Sequence, residues 1–230
     1  MQIDKYYKKN RIIGVVGNSG SGKSTFINNF ESNKKIGLIN IDIINKNIVI
    51  DQIEYFVKKY NYRLLELEDR KNEIIRMLDI DEDILENSIY DISESDLSKV
   101  LIASVLLYNP ETIIFDEMLD SLDYSNKTKI LKLIIKLKKF FNKTIFIVTS
   151  NIDDIYEFID DVIVIDGGEV IVSGNKKELF SNYDKLLENK IRIPSIVEFI
   201  KQMEKNNIKL DKVDTINELI KTLYREIRWY

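Results

Sequence analysis

Gly17-Asn18-Ser19-Gly20-Ser21-Gly22-Lys23-Ser24-Thr25 follows directly on the apolar run Arg11-Ile12-Ile13-Gly14-Val15-Val16. Four of the chain's eight glycines lie between positions 14 and 22, so a glycine-poor sequence concentrates its backbone freedom in one loop. A strand, a glycine-rich turn and a helix opening near Lys23 form a cradle whose backbone N–H groups point at phosphate oxygens. Each side chain has a task in such a loop. Lys23 offers a mobile ammonium to the β- and γ-phosphates, and the Ser24 hydroxyl is suited to ligate Mg²⁺. The stretch implies a site for a nucleoside triphosphate.

Working outward, short β-branched runs at Arg11 to Val16, Ile36 to Ile41, Thr112 to Phe115, Thr144 to Val148 and Val162 to Ile165 read as strands buried on both faces. Between them, Lys23 to Phe30, Ile48 to Tyr60, Leu64 to Leu78, Ser95 to Leu107 and Ile130 to Phe140 carry helical apolar spacing. The alternation predicts an α/β fold with a mainly parallel sheet. Asp166-Gly167-Gly168-Glu169 predicts a hairpin that adds an antiparallel strand over Val170 to Val172.

Composition narrows the class. With 230 residues, 44% of them hydrophobic, the chain can build a real core. The balance of 34 basic and 38 acidic residues, without a long basic block, argues against nucleic acid as a partner. The absence of cysteine excludes a disulfide framework, and the absence of histidine removes the commonest general base. No run approaches the roughly 20 apolar residues of a membrane span, and the expected location is cytoplasmic.

Thr112-Ile113-Ile114-Phe115-Asp116-Glu117 is an apolar strand ending in two acids. In a P-loop fold such a strand lies beside the loop, where Asp116 would hold Mg²⁺ and Glu117 would orient or deprotonate the attacking water.

With the loop at Gly17 followed by Ser104 to Pro110, then the Asp116-Glu117 strand, then Ser121-Leu122-Asp123, the chain resembles the ATPase subunits of ABC transporters. Within that group it resembles the energy-coupling factor (ECF) type. The resemblance implies an ABC-type nucleotide-binding domain over 1–174, with a helical subdomain at about 45–95, and a C-terminal helical extension over 175–230 where paired ATPase subunits touch. It also implies ATP and Mg²⁺ as ligands, an integral membrane partner and a peripheral position on the inner face of the membrane.

Read from the residues alone, the extension is two capped helices. Ser195 with Glu198 and Thr215 with Glu218 fit capping boxes, and Ile196, Val197, Ile200 and Met203 form an apolar stripe.

Several family positions depart from the pattern. Where the ABC signature turn should stand, the chain has Ile92-Ser93-Glu94-Ser95-Asp96, with both glycines gone and two carboxylates beside the expected phosphate. A unit-charge repulsion at ~4 Å amounts to ~4 kcal/mol at an effective dielectric of 20, enough to undo a good hydrogen bond. The alternative is that Ser93 simply caps a helix. The switch histidine is replaced by Ser150, too short to substitute directly, and Ile41 stands at the Q-loop glutamine, with Gln52 further on in the next helix. Ile41 comes only 18 residues after Lys23 and only 16 residues precede Gly17, where the family spreads an antiparallel β-subdomain, so most of that subdomain is expected to be missing; Tyr6 or Tyr7 is left as a candidate to stack on adenine.

A degenerate signature favours a heterodimer, in which a second ABC ATPase subunit with an intact signature completes one site. Two other classes stay open: a regulatory or structural ATP-binding subunit that hydrolyses little, and a P-loop small-molecule kinase.

Overall fold

The structure is a computed structural model that describes residues 6, 8–29, 35–60, 67–120, 122–208, 210, 213 and 215–227. Tyr7, Phe30, the 64–66 start of one predicted helix, and Ser121 lie outside the described residues.

The apolar runs become a six-stranded sheet. In chain order the strands are β1 (Ile12–Val16), β2 (Ile36–Ile39), β3 (Thr112–Asp116), β4 (Thr144–Thr149), β5 (Asp161–Asp166) and β6 (Glu169–Asn175). They stand side by side as β2-β3-β4-β1-β5-β6. Every pairing is parallel except β5 with β6, which the predicted hairpin at Gly167-Gly168 joins. All five residues of β1 and all six of β4 are buried, as continuous apolar runs in the middle of a covered parallel sheet should be.

Helices cover both faces. They are α1 (Lys23–Asn28), α2 (Val49–Lys59), α3 (Leu67–Met77), α4 (Glu94–Tyr108), α5 (Tyr124–Phe141), α6 (Glu178–Ser181), α7 (Tyr183–Glu188), α8 (Ser195–Lys205) and α9 (Ile216–Ile227). One core joins Ile12, Phe115 and Ile147 of the sheet to α2, α4, α5 and the C-terminal helices. A smaller one packs Phe26 and Ile27 of α1 against Ile13, Val15 and Phe146. Helix α4 has eight buried residues in the unbroken run Val100 to Leu107, so it is apolar nearly all round, as a helix between a sheet and other helices must be. It ends at Asn109 in the left-handed region, followed by Pro110.

Two local expectations change. Helix α5 starts at Tyr124 rather than Ile130, because Asp123 caps it by accepting from the Asn126 N–H at 3.0 Å; its polar first turn gives no apolar period to read. Ser195 is not a cap: Pro194 holds that position, and the Ser195 N–H donates to Asp153 at 2.6 Å. The stripe of Ile196, Val197 and Ile200 faces the main core and is buried there. Thr215 does cap α9, accepting from the Glu218 N–H at 3.2 Å.

Candidate functional site

Loop 17–22 leaves β1 at the carboxyl end of the sheet, where β3 and β4 also end. Its shape is enforced by contact. A Cβ at Gly17 would lie 2.2 Å from the Ile165 carbonyl oxygen, and Gly22, at φ +99°, would place one 3.0 Å from the Cα of Gly168. The Gly168 N–H donates to the Ser21 carbonyl at 2.8 Å, so the β5–β6 turn supports the loop from beneath. The Asn18 amide donates to the Lys190 carbonyl at 3.2 Å, while Ser19 and Gly20 are exposed at the crest. Thr25 is exposed on the first turn of α1.

Lys23 is buried, yet its ammonium is fully engaged. It donates to Gly17 O at 2.9 Å, Asn18 O at 3.1 Å and Ser150 Oγ at 3.2 Å, and lies 3.6 Å from a Glu117 carboxylate oxygen. Carbonyl oxygens hold the charge where phosphate oxygens would compete for it, so the loop is organised for an anion.

Asp116 and Glu117 close β3. Glu117 takes a left-handed backbone, φ +56°, an uncommon conformation for a residue with a side chain. Its N–H donates to Val148 O at 3.1 Å, and the twist turns its carboxylate toward Lys23. Burial first, and then the neighbouring Glu117 charge, push the Asp116 carboxyl above the usual aspartate range, while Lys23 and a hydrogen bond from Asn40 pull the other way. One Asp116 carboxylate oxygen is buried with no hydrogen-bond partner. Ser24, Asn40, Ile41, Asp42, Asp116 and Glu117 border one cavity of about 510 Å³, which Glu94 and Ser98 of α4 also reach.

That donor set fits Mg²⁺. The ion needs hard oxygen ligands and typically takes one or two carboxylates, with phosphates and waters filling the rest. Among the described residues there is no group of three or more acids that could hold a metal ion.

The remaining candidates divide. Ile41 borders the cavity in a short 3₁₀ turn and is 56% exposed, so an apolar side chain stands where an amide was looked for. Gln52 is fully buried in α2 and secures the segment after β2, accepting from Asn45 N and Lys46 N and donating to Ile43 O. Ser93 caps α4, accepting from the Asp96 N–H at 3.1 Å and donating to the Asp96 carboxylate at 2.7 Å. Glu94 is exposed and Ser95 half-buried on the first turn. Tyr6 packs on Phe26, ring centroids 6.0 Å apart, and borders a different cavity with Ile13 and Asp161 near the amino ends of β1 and β5, away from the loop.

Sequence reading missed two site residues. Asn40 steadies Asp116. Asp120 accepts from the Thr149 hydroxyl at 2.5 Å and from the Ser150 N–H at 3.4 Å. Neither carries a local signal, since each meets its partner only through the parallel pairing of β2, β3 and β4.

Known proteins agree with this architecture. The chain is similar to the energy-coupling factor transporter ATP-binding protein EcfA2 of Staphylococcus epidermidis, 28% identical with 98% of this chain and 88% of that one covered. It is similar at 27% to the protein of the same name from Mycoplasmoides gallisepticum, over 99% and 85% of the two chains. Among solved structures, cbiO1 from Clostridium perfringens, described as part of the ABC transporter complex cbiONQ, superposes with a TM-score of 0.65 at 25% identity, covering 84% of this chain and 88% of its own. The dimeric bacterial cassette MJ0796 shares the fold, with a TM-score of 0.64 at 24% identity over 74% and 87%. The family model described as ABC transporter matches residues 1–120, more than half of the sequence and the part that holds both the loop and the β3 acids, and the chain belongs to that family.

Proposed function

We propose that the chain is the ATP-binding subunit of an ECF-type ABC transporter that binds Mg²⁺·ATP and hydrolyses it together with a partner ATPase. The observation that carries this reading is the convergence of Ser24, Asp116 and Glu117 on one cavity, with the Lys23 ammonium 3.6 Å from Glu117. The names of the relatives support the transporter assignment.

In this reading residues 17–25 wrap the phosphates, and Lys23 exchanges its loop carbonyls for β- and γ-phosphate oxygens. Ser24 and Asp116 would hold Mg²⁺, which when bound neutralises charge on the phosphates. Glu117, exposed at the cavity wall, orients or deprotonates a water in line with the γ-phosphorus. The 1–174 unit is the nucleotide-binding domain. The 175–230 extension would supply subunit contacts; α8 spends its stripe on the core, so these fall to the exposed Ile216, Ile220 and Tyr224 of α9.

The partners in this reading are a second ATPase subunit and an integral membrane subunit; the similar cbiO1 is described as part of the ABC transporter complex cbiONQ. Among the described residues no helix is long and apolar enough to cross a membrane, which fits a subunit held peripherally at the inner face through those partners. A heterodimer is favoured because Ser93 and Asp96 bond to each other and Glu94 adds a carboxylate, leaving this chain's signature position poorly suited to a partner's phosphate.

That same observation favours a second reading, a regulatory subunit that binds ATP but turns over little. ATP binding and turnover of the wild type, Lys23→Ala and Glu117→Gln, each alone and with the partner subunits, separate the two. Loss of turnover in Glu117→Gln supports catalysis here, and unchanged turnover leaves only the regulatory role.

A further inference from the structure

Asp120 stands three residues beyond Glu117, at the end of the turn that follows β3, and its own N–H donates to the Glu117 carbonyl at 3.1 Å. Its carboxylate crosses to the end of β4. One oxygen accepts from the Thr149 hydroxyl at 2.5 Å and the other from the Ser150 N–H at 3.4 Å. Thr149 is fully buried and its hydroxyl also accepts from the Asn151 N–H at 2.9 Å, so this anchor cannot rotate freely. Ser150 in turn accepts from Lys23 at 3.2 Å, and Lys23 returns to Glu117 at 3.6 Å. Glu117, Asp120, Ser150 and Lys23 form a closed ring that links the end of β3, the end of β4 and the phosphate loop.

We propose that Asp120 is a positioning residue: it holds Ser150 against the Lys23 ammonium and so sets the γ-phosphate end of the nucleotide site. Ser150 alone is a short, exposed side chain just past a strand end, with nothing in its own chemistry to fix its hydroxyl. The Asp120 carboxylate supplies what it lacks, an anionic acceptor for its N–H and a lock on the residue before it. The Ser150 hydroxyl is then kept within reach of whatever Lys23 contacts, and the β-phosphate is served by the loop without it. The inference rests on the reading that loop 17–25 binds ATP.

The test compares ATP with ADP, because a γ-phosphate device discriminates between them and a purely structural one does not. Wild type, Asp120→Asn, Asp120→Ala, Ser150→Ala and the Asp120→Asn/Ser150→Ala double variant are titrated with fluorescent ATP and ADP analogues in Mg²⁺, with melting temperatures measured in parallel. Asparagine can still accept from Thr149 but offers no second carboxylate oxygen to the Ser150 N–H, and alanine loses both bonds. The expected result is a loss of ATP affinity of about five- to tenfold in Asp120→Asn and in Asp120→Ala alike, with ADP changed less than twofold. Ser150→Ala should match Asp120→Asn, and the double variant should be no worse than either single one, since the two act through one contact. Equal losses for ATP and ADP, losses that track the melting temperature, fully additive effects, or no effect would each overturn the proposal. A wild type that binds neither nucleotide overturns the ATP-binding reading itself, and this proposal with it.

Discussion

The Lys23 ammonium sits 3.6 Å from the Glu117 carboxylate, a buried cation facing an acid that is half exposed to the cavity. The pair joins the residue that would bind phosphate to the residue that would activate water. Lys23→Ala removes three hydrogen bonds and the charge, and should weaken ATP binding by roughly 2–3 kcal/mol, or about 30- to 150-fold, in equilibrium titration. Glu117→Gln keeps the shape and should leave ATP affinity within a fewfold of wild type, while partner-supported turnover in a phosphate-release assay falls by about 10²- to 10⁴-fold.

Asp116 carries a cost in the nucleotide-free protein. Its carboxyl is raised by burial and by Glu117, so the folded state binds its proton more tightly than the unfolded chain does. The stability it contributes is present at low pH and is lost as pH rises through the raised value, leaving a charged, poorly solvated group at neutral pH. Asp116→Asn should raise the melting temperature of the nucleotide-free protein by a few degrees at pH 7.5 and shrink the difference near pH 4. The same variant should gain less stability than wild type when Mg²⁺ is added to ATP, because one of the two side chains that would hold the ion is gone.

Lys143 reports on a different region. Burial, with Arg70 and Lys35 nearby, lowers its ammonium to about 8 from an ordinary 10.5, even though it donates to Asn109 Oδ1 at 2.7 Å and Pro110 O at 2.6 Å. Between those two values the unfolded chain holds the proton and the folded one does not, so this group makes stability rise with pH across that window. Urea unfolding at pH 7.5 and pH 10 should show that rise in wild type, and Lys143→Gln should remove its share.

Ser93 separates cap from phosphate contact. If its hydroxyl serves only α4, Ser93→Ala should cost about 1 kcal/mol of stability in denaturant titration and leave partner-supported turnover unchanged. A tenfold fall in turnover at unchanged stability would restore Ser93 to the nucleotide of the opposite subunit.

Long-range order, rather than element type, marks where sequence reading stopped. The runs at Ile12–Val16 and Thr144–Thr149 announced buried parallel strands because every residue is apolar or β-branched apart from Gly14. The hairpin was legible in Gly167-Gly168, both at positive φ. The capping box at Ser195 misled because its test is local, whereas the Ser195 N–H is claimed by Asp153 from 42 residues away. Asp120 has no local signal, since its partners Thr149 and Ser150 lie at the end of a strand that sequence cannot place beside it. Loop residues 17–25 could be named because their spacing is itself the chemistry. Asn40 could not, because its spacing means nothing until β2 is laid against β3.

The support of Ser21 by Gly168, and of Asn18 by Lys190, makes the phosphate loop a product of both ends of the chain. A fragment ending at residue 120 would carry the whole family match and all of residues 17–25, yet would lack the surface on which that loop takes its shape. Lesions far downstream, in the turn at 167–168 or the stretch around 190, would therefore masquerade as nucleotide-binding defects while leaving the motif itself untouched.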